Sequence, residues 1–265
     1  MTGSASNRGA ASSATLTSSA IQIYASIVDF PYDTSPFILA SRLGLQAVVE
    51  SLLESQIHDC DTREMKFYRT PLSNAAQAGH ENVVKLLLDT QVDVDSRDAK
   101  QRTPFSYAAA RGHEGVVHLL LDTGGVDVNS QDEKQRTPLS YAAWLGQERV
   151  VQLLLRIKET KVDSPDSKQR TPFSYAVARG HERVVKLLLD TGQVHVDSQD
   201  DTQRTPLSYA AARGNDRVVR LLLDTGQVDV NSQDATHQTP LSYAIQEGEV
   251  KVIQLLQLNK NSAKS

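Results

Sequence analysis

The chain has 265 residues, of which 39% are apolar, with a formal charge of −4 and a pI near 6.0. That length allows one or two globular domains, and the charge gives no whole-molecule attraction to nucleic acid or an anionic membrane, so any basic surface must be local. The lone cysteine, Cys60, cannot form an internal disulfide and suits a reducing cytoplasmic or nuclear setting, while no run of residues nears the roughly 18 apolar positions of a membrane span.

Residues 1–20 are rich in Ser, Ala, Thr and Gly, with Arg8 as their one charge. They carry too little apolar surface to offset the entropy of ordering and are expected to form a disordered tail. A mitochondrial transit peptide, the competing reading, calls for several arginines and an apolar face. In residues 21–33, Ile21, Ile23, Tyr24, Ile27 and Val28 have helix-like spacing and are expected to cap the region that begins at residue 34.

From residue 34 the sequence repeats itself. TPFSYAA, TPLSYAA, TPFSYAV, TPLSYAA and TPLSYAI begin at Thr103, Thr137, Thr171, Thr205 and Thr239, each 34 residues after the last. Upstream, Thr70 opens TPLSNAA 33 residues before Thr103, and Ser35 opens SPFILAS 35 before Thr70, which makes seven units. In unit three, Thr103 suits a helix N-cap and Pro104 the first helical position, and Gly112 supplies a left-handed stop. Val116, Val117, Leu119, Leu120 and Leu121 give a second helix its apolar face until Asp122-Thr123-Gly124-Gly125 breaks it. Val126-Asp127-Val128 then alternates like an extended arm, and a polar turn from Asp132 to Gln135 leads into the next Thr-Pro. Helices of two turns are marginal alone, so each pair must stack on its neighbours.

These units resemble the ankyrin-repeat family, whose repeat of about 33 residues opens on a TPLHxA-like motif. Gly-His at the helical turn (Gly79-His80, Gly112-His113, Gly180-His181) and VVKLLL-like second helices carry the likeness further. The TPLSYAA form, followed by DTG and VDV, is similar to repeats abundant in filamentous fungi. The resemblance implies an all-α solenoid with projecting hairpin arms over residues 34–257 and a C-terminal tail from 258 to 265. Three departures stand out. Ser73, Ser106, Ser140, Ser174, Ser208 and Ser242 replace the family's His, so its inter-repeat hydrogen bonds are remade or lost. Gln101, Gln135, Gln169 and Gln203 stand where the family has Gly, which leaves the turn open to reshaping. Most units carry one extra residue, near Gly124-Gly125, Gly192-Gln193 and Gly226-Gln227. Phe67 and Tyr68 fall in an irregular loop before unit two.

Catalytic signatures are lacking: there is no GxGxxG, P-loop, HExxH or nucleophile elbow. His80-Glu81, His113-Glu114 and His181-Glu182 recur at one family position, which points to a structural role. His58-Asp59-Cys60-Asp61 lacks the further ligands a zinc site needs. No enzyme activity, cofactor or metal is expected.

Binding has the stronger case. The resemblance places recognition on the arm tips and the inner helix face, which in units three to six hold Arg102, Arg111, Arg136, Arg170, Arg179, Arg204 and Arg213 among ten basic and two acidic residues. At one point the repeating Ala-Arg gives way to Trp144-Leu145. An aromatic ringed by arginines is what interface hot spots favour. Trp144 and Leu145 are therefore expected to anchor an acidic protein or peptide, flanked by Arg102, Arg111, Arg136, Arg170, Arg179 and Arg213. A competing reading has Asp98, Asp132, Asp166 and Asp200 neutralise much of that charge. Tyr107, Tyr141, Tyr175, Tyr209 and Tyr243 read as packing residues with a hydroxyl at the edge. The expected function is a monomeric, non-catalytic scaffold or adaptor. The alternative is a repeat protein recruited to small-molecule chemistry in a fungal biosynthetic pathway, with a pocket in the concave groove; nucleic-acid binding is weaker for want of stacking platforms.

Overall fold

The computed structural model describes residues 35–55 and 60–262, with side chains as far as residue 259. The tail expected over 1–20 and the cap expected over 21–33 lie outside them. Among the described residues there are fourteen helices and no strand. They pair in chain order as α1 (Pro36–Leu43) with α2 (Gln46–Glu54), α3 (Pro71–Ala78) with α4 (Glu81–Leu88), and α5 (Pro104–Arg111) with α6 (Glu114–Asp122). The middle units hold α7 (Pro138–Leu145) with α8 (Glu148–Leu155) and α9 (Pro172–Arg179) with α10 (Glu182–Leu189). Then come α11 (Pro206–Ala212) with α12 (Asp216–Asp224) and α13 (Pro240–Gln246) with α14 (Val250–Ser262).

The ends of each first helix are fixed by local chemistry. Thr70, Thr103, Thr137, Thr171, Thr205 and Thr239 each accept from the backbone N–H three residues on. In units three, four and seven the serine at that third position returns the bond to the threonine N–H, completing a capping box. Thr103 and Thr70 also reach Ser130 and Ser96 of the following arm at 3.2 and 3.1 Å. The serine that displaced the family's histidine thus serves its own helix instead of the neighbouring one.

Histidine from another position makes the inter-repeat link. His80, His113 and His181 bond through Nε2 to the carbonyls of Arg42, Gln77 and Trp144 at 3.1 Å, and Gln147 does the same to Ala110 at 3.2 Å. Each ring lies against the left-handed glycine of the preceding unit; a methyl group on Gly146, at φ +70°, would sit 2.6 Å from His181 Nδ1.

The first helices form one row and the second helices another. The core lies between the rows. Phe37, Leu72, Phe105, Leu139, Phe173 and Leu207 run along the first row, fully or almost fully buried, over Val83, Val116, Val150, Val184 and Val218 from the second. Each such side chain contributes roughly 1.5–3 kcal/mol by leaving water. Alanines at Ala75, Ala108, Ala142, Ala176 and Ala210 let the first helices approach more closely than the leucine-rich second helices, so the solenoid bends with the first helices and arm tips inside.

The arms are turns. Successive tips share one backbone hydrogen bond each, from Glu133 N to Lys100 O, Ser167 N to Lys134 O, Asp201 N to Lys168 O and Ala235 N to Thr202 O, at 2.9–3.0 Å. One bond per step is too few for a ladder, and an Asx side chain takes the next donor instead: Asp61 accepts from Asp93 N, Asn129 from Lys161 N, Asp163 from His195 N and Asp197 from Asp229 N. The glutamines do not reshape the turn. Gln101, Gln135, Gln169 and Gln203 take φ near +60°, and Tyr68 and His237 do so in units two and seven. The loop before unit two is therefore the same turn one residue longer, closed by Glu64 N bonding to Arg69 O as Asp98 N bonds to Arg102 O. The extra residue of the longer units is absorbed by exposed left-handed Gly124, Gly192 and Gly226. Helix α14 runs past residue 257 to Ser262, since nothing in Leu258-Asn259-Lys260-Asn261 stops a helix as Gly or Pro would.

Candidate functional site

The inner face is built from one repeated cluster. In unit three the buried Asp98 accepts through Oδ1 from the backbone N–H groups of Lys100 and Arg102, and through Oδ2 from the Arg102 guanidinium at 3.0 Å and the Tyr107 hydroxyl at 2.6 Å. Asp132–Arg136–Tyr141 and Asp166–Arg170–Tyr175 repeat it, with guanidinium distances of 2.7 and 2.8 Å. Each guanidinium then lies over its tyrosine ring, 4.4, 4.8 and 4.9 Å from the centroid. Burial alone would raise the carboxyl of Asp132, but hydrogen bonds from Arg136 and Tyr141 hold it below the ordinary range, and Tyr175 and Arg170 do the same for Asp166. Burial pushes the hydroxyls of Tyr107, Tyr141 and Tyr175 upward, and the bonds they donate to the aspartates add to the rise.

The competing reading of the arginines is therefore right for part of the set. Arg102, Arg136 and Arg170 are half-buried and committed to Asp98, Asp132 and Asp166. Arg111, Arg179 and Arg213 are exposed and reach no carboxylate among the described residues. The aspartates of the four units halve the excess positive charge expected from the sequence.

Unit six departs from the pattern. Asp200 takes the Thr202 hydroxyl at 2.7 Å as well as the Tyr209 hydroxyl. Arg204 forms no ion pair among the described residues; its guanidinium lies 4.4 and 4.1 Å from the ring centroids of Tyr209 and Tyr243, with Nε buried and without a hydrogen-bond partner. The sequence differs there at Thr202, where units three to five carry Lys100, Lys134 and Lys168, and at Gln238, which stands at the arginine position of the next unit.

Trp144 lies at the middle of the face. Its ring stacks on Tyr175 at 5.7 Å and meets Tyr141 at 6.4 Å, with the guanidiniums of Arg136 and Arg179 at 5.7 and 5.4 Å. Beside it Leu145 is 47% exposed. A cleft of about 150 Å³ opens next to the indole, lined by Trp144, Tyr175, Ala178, Arg179, Tyr209 and Arg213 among others.

The family model for ankyrin repeats matches residues 37–132, 124–200 and 192–264, nearly the whole described solenoid. The chain belongs to the ankyrin-repeat family. Its structure is similar to the crystal structure of the human ASB11 ankyrin repeat domain, with a TM-score of 0.73 and 25% identity over 85% of this chain and 98% of that one. No curated protein sequence matches the chain.

In this ankyrin solenoid the structure brings Trp144, Arg136, Arg170, Arg179 and Arg213 together with Leu145 at one edge, and leaves Arg102 and Arg111 a unit away in unit three. No group of three or more His, Cys, Asp or Glu side chains that could hold a metal occurs among the described residues, and His58 and Asp59 lie outside them. Among the described residues no helix is long and apolar enough to cross a membrane.

Proposed function

We propose that this chain is a non-catalytic scaffold or adaptor that holds a protein partner on its concave face, and that the partner presents an acidic surface there. The observation that carries this reading is the break in the repeat at Trp144-Leu145: a large aromatic braced by two tyrosines and an exposed leucine, bordered by Arg179 and Arg213, which meet no carboxylate among the described residues. Hot spots favour such rigid, partly desolvated aromatic and arginine groups. The lone thiol of Cys60 suits a reducing cytoplasmic or nuclear compartment.

The concave cleft, about 150 Å³, is smaller than the ~300–1,000 Å³ of most small-molecule sites, so nothing in it favours the biosynthetic alternative. The test is a selection of random phage-displayed peptides on the whole protein, followed by titration of the selected peptides against wild type and Trp144→Ala. Loss of on the order of thirty-fold in affinity is expected, the scale of a hot-spot residue. Unchanged affinity in a variant with an unaltered melting temperature overturns the reading.

A further inference from the structure

We infer that the concave face carries two basic contacts, one in unit three and one in unit five, on either side of the apolar contact at Trp144 and Leu145 in unit four. The partner it fits is an extended peptide segment with a central apolar residue and a carboxylate about three residues away on each side. The inference rests on the concave docking reading and adds what that reading leaves open, the order and spacing of the partner's side chains.

Neighbouring units are about one screening length apart. Packed helices lie roughly 8–10 Å from one another, and at physiological salt the field of an exposed charge fades over about 8 Å. The step is the same from unit to unit, since each arm tip is joined to the next by one backbone hydrogen bond, Glu133 N to Lys100 O and Ser167 N to Lys134 O. The charge a partner meets opposite a unit is therefore set chiefly by that unit's own side chains.

In unit three the buried Asp98 takes up Arg102, which leaves Lys100 at the tip and Arg111 at the helix end, both exposed and without a carboxylate among the described residues. Unit five repeats this, with Asp166 holding Arg170 while Lys168 and Arg179 stay exposed and unpaired among the described residues. Unit four, between them, has no surplus: Asp132 holds Arg136, the exposed Lys134 stands next to the exposed Glu133, and Leu145 replaces the helix-end arginine. Unit six is balanced too, because Asp200 and the exposed Asp201 offset Arg204 and Arg213. In unit seven Thr236 and Gln238 take the basic positions, and Asp234 and Glu247 make the surface acidic. Unit two keeps Lys66 alone, since Glu64 holds Arg69 and Ala78 ends the helix. Two surplus cations thus stand in unit three and two in unit five, with the apolar pair between them.

Three residues of extended chain cover about 10 Å, close to one step of the solenoid. With an apolar side chain against Trp144 and Leu145, the third residue to one side comes opposite Lys100 and Arg111, and the third to the other side opposite Lys168 and Arg179. The central contact is firm, because the indole is stacked on Tyr175 at 5.7 Å and the guanidinium of Arg136 beside it is already committed to Asp132. A carboxylate opposite either pair gains charge-assisted hydrogen bonds. Each exposed contact is weak by itself, so selection depends on having one on each side.

The peptides selected on the wild-type protein supply the probes, together with versions in which one Asp or Glu is changed to its amide. Expected are sequences with an acid about three residues before and another about three residues after an apolar residue. Lys100→Gln/Arg111→Gln and Lys168→Gln/Arg179→Gln should each weaken binding by about three- to tenfold, the scale of two exposed charge contacts. Changing one acid to its amide should abolish the effect of one protein variant and spare that of the other, and changing the second acid should do the reverse. All four positions are exposed, and melting curves confirm that the variants fold. Peptides with acids on one side only overturn the inference, as do two acids that both couple to the same pair, a pair whose loss changes nothing, or tighter binding of single-stranded DNA than of the peptides at physiological salt. An empty selection overturns the docking reading along with it. Peptides that depend on Trp144 but not on acids overturn this inference alone.

Discussion

Asp197 shows how a single side chain can cost the fold something it need not. Its Oδ2 accepts from Asp229 N at 3.1 Å, while its Oδ1 is buried without a hydrogen-bond partner. Burial raises its pKa, and the nearby Asp229 charge adds to the rise. A carboxyl whose folded pKa lies above its unfolded value contributes stability at low pH and loses it as pH rises through the folded pKa. Asn129 occupies the same place in unit three's arm and avoids the cost: its Oδ1 accepts from Lys161 N, and its amide donates to Glu159 O at 2.8 Å. Asp197→Asn should therefore stabilise the protein by about 0.5–1.5 kcal/mol at neutral pH, the net worth of one added hydrogen bond. Urea titrations should show the gap between variant and wild type closing as pH falls below about 4, where aspartate in the unfolded chain protonates. A gap independent of pH would mean that the charge is not its source. The clusters at Asp132 and Asp166 have the opposite sign, since their carboxyls are held low and the stability they add is lost in acid.

At the scale of the helix pair, the residue that ends the first helix also admits the next unit. Gly146 has φ +70°, and a Cβ there would meet the His181 ring that bonds to Trp144 O. Gly146→Ala should destabilise by more than ~1 kcal/mol, because backbone strain adds to displacement of the ring. A thermal melt of the variant with an unchanged midpoint would show that the ring has room to move. Much of this unit was legible in the sequence. Thr-Pro marked the helix start, the glycine its end, and the valine-leucine block the second helix, since each acts through its immediate neighbours. The glutamines at positive φ were legible as a departure, but their outcome was not, because the turn is held by aspartate bonds two and four residues away. Whether each arginine is free was beyond local reading. Arg170 and Arg204 follow the same Gln and precede the same Thr-Pro, yet one is paired with its aspartate and the other lies between the rings of Tyr209 and Tyr243.

Across the whole molecule, stability is shared between neighbours, so a unit covered on one side alone should open first. Unit seven is that unit. Ala244 remains buried, but Leu241, Ser242 and Tyr243, whose counterparts in unit three are buried, are half-buried here, and Ile245 is 58% exposed where Ala109 is fully buried. The left-handed Gly248 has nothing within 4 Å of its missing Cβ, whereas Gly44, Gly79, Gly112, Gly146, Gly180 and Gly214 are each covered by a side chain of the following unit. Units three to five have both faces covered and carry the paired Asp–Arg–Tyr clusters, so their amides exchange only when two interfaces are broken. Hydrogen exchange should therefore show helices α13 and α14 labelled well before α5, α7 and α9, with α11 between. Because neighbour interactions are lost in sequence from an open end, a Leu154→Ala change in α8, expected to cost about 2–5 kcal/mol as a buried cavity, should do more than lower protection in unit four. It should weaken the coupling between units three and five and let the C-terminal block exchange as a separate body, visible as two populations in mass spectra of the α9 to α12 peptides. Uniform exchange across all seven units in both proteins would instead mark a single cooperative core and contradict the nearest-neighbour account.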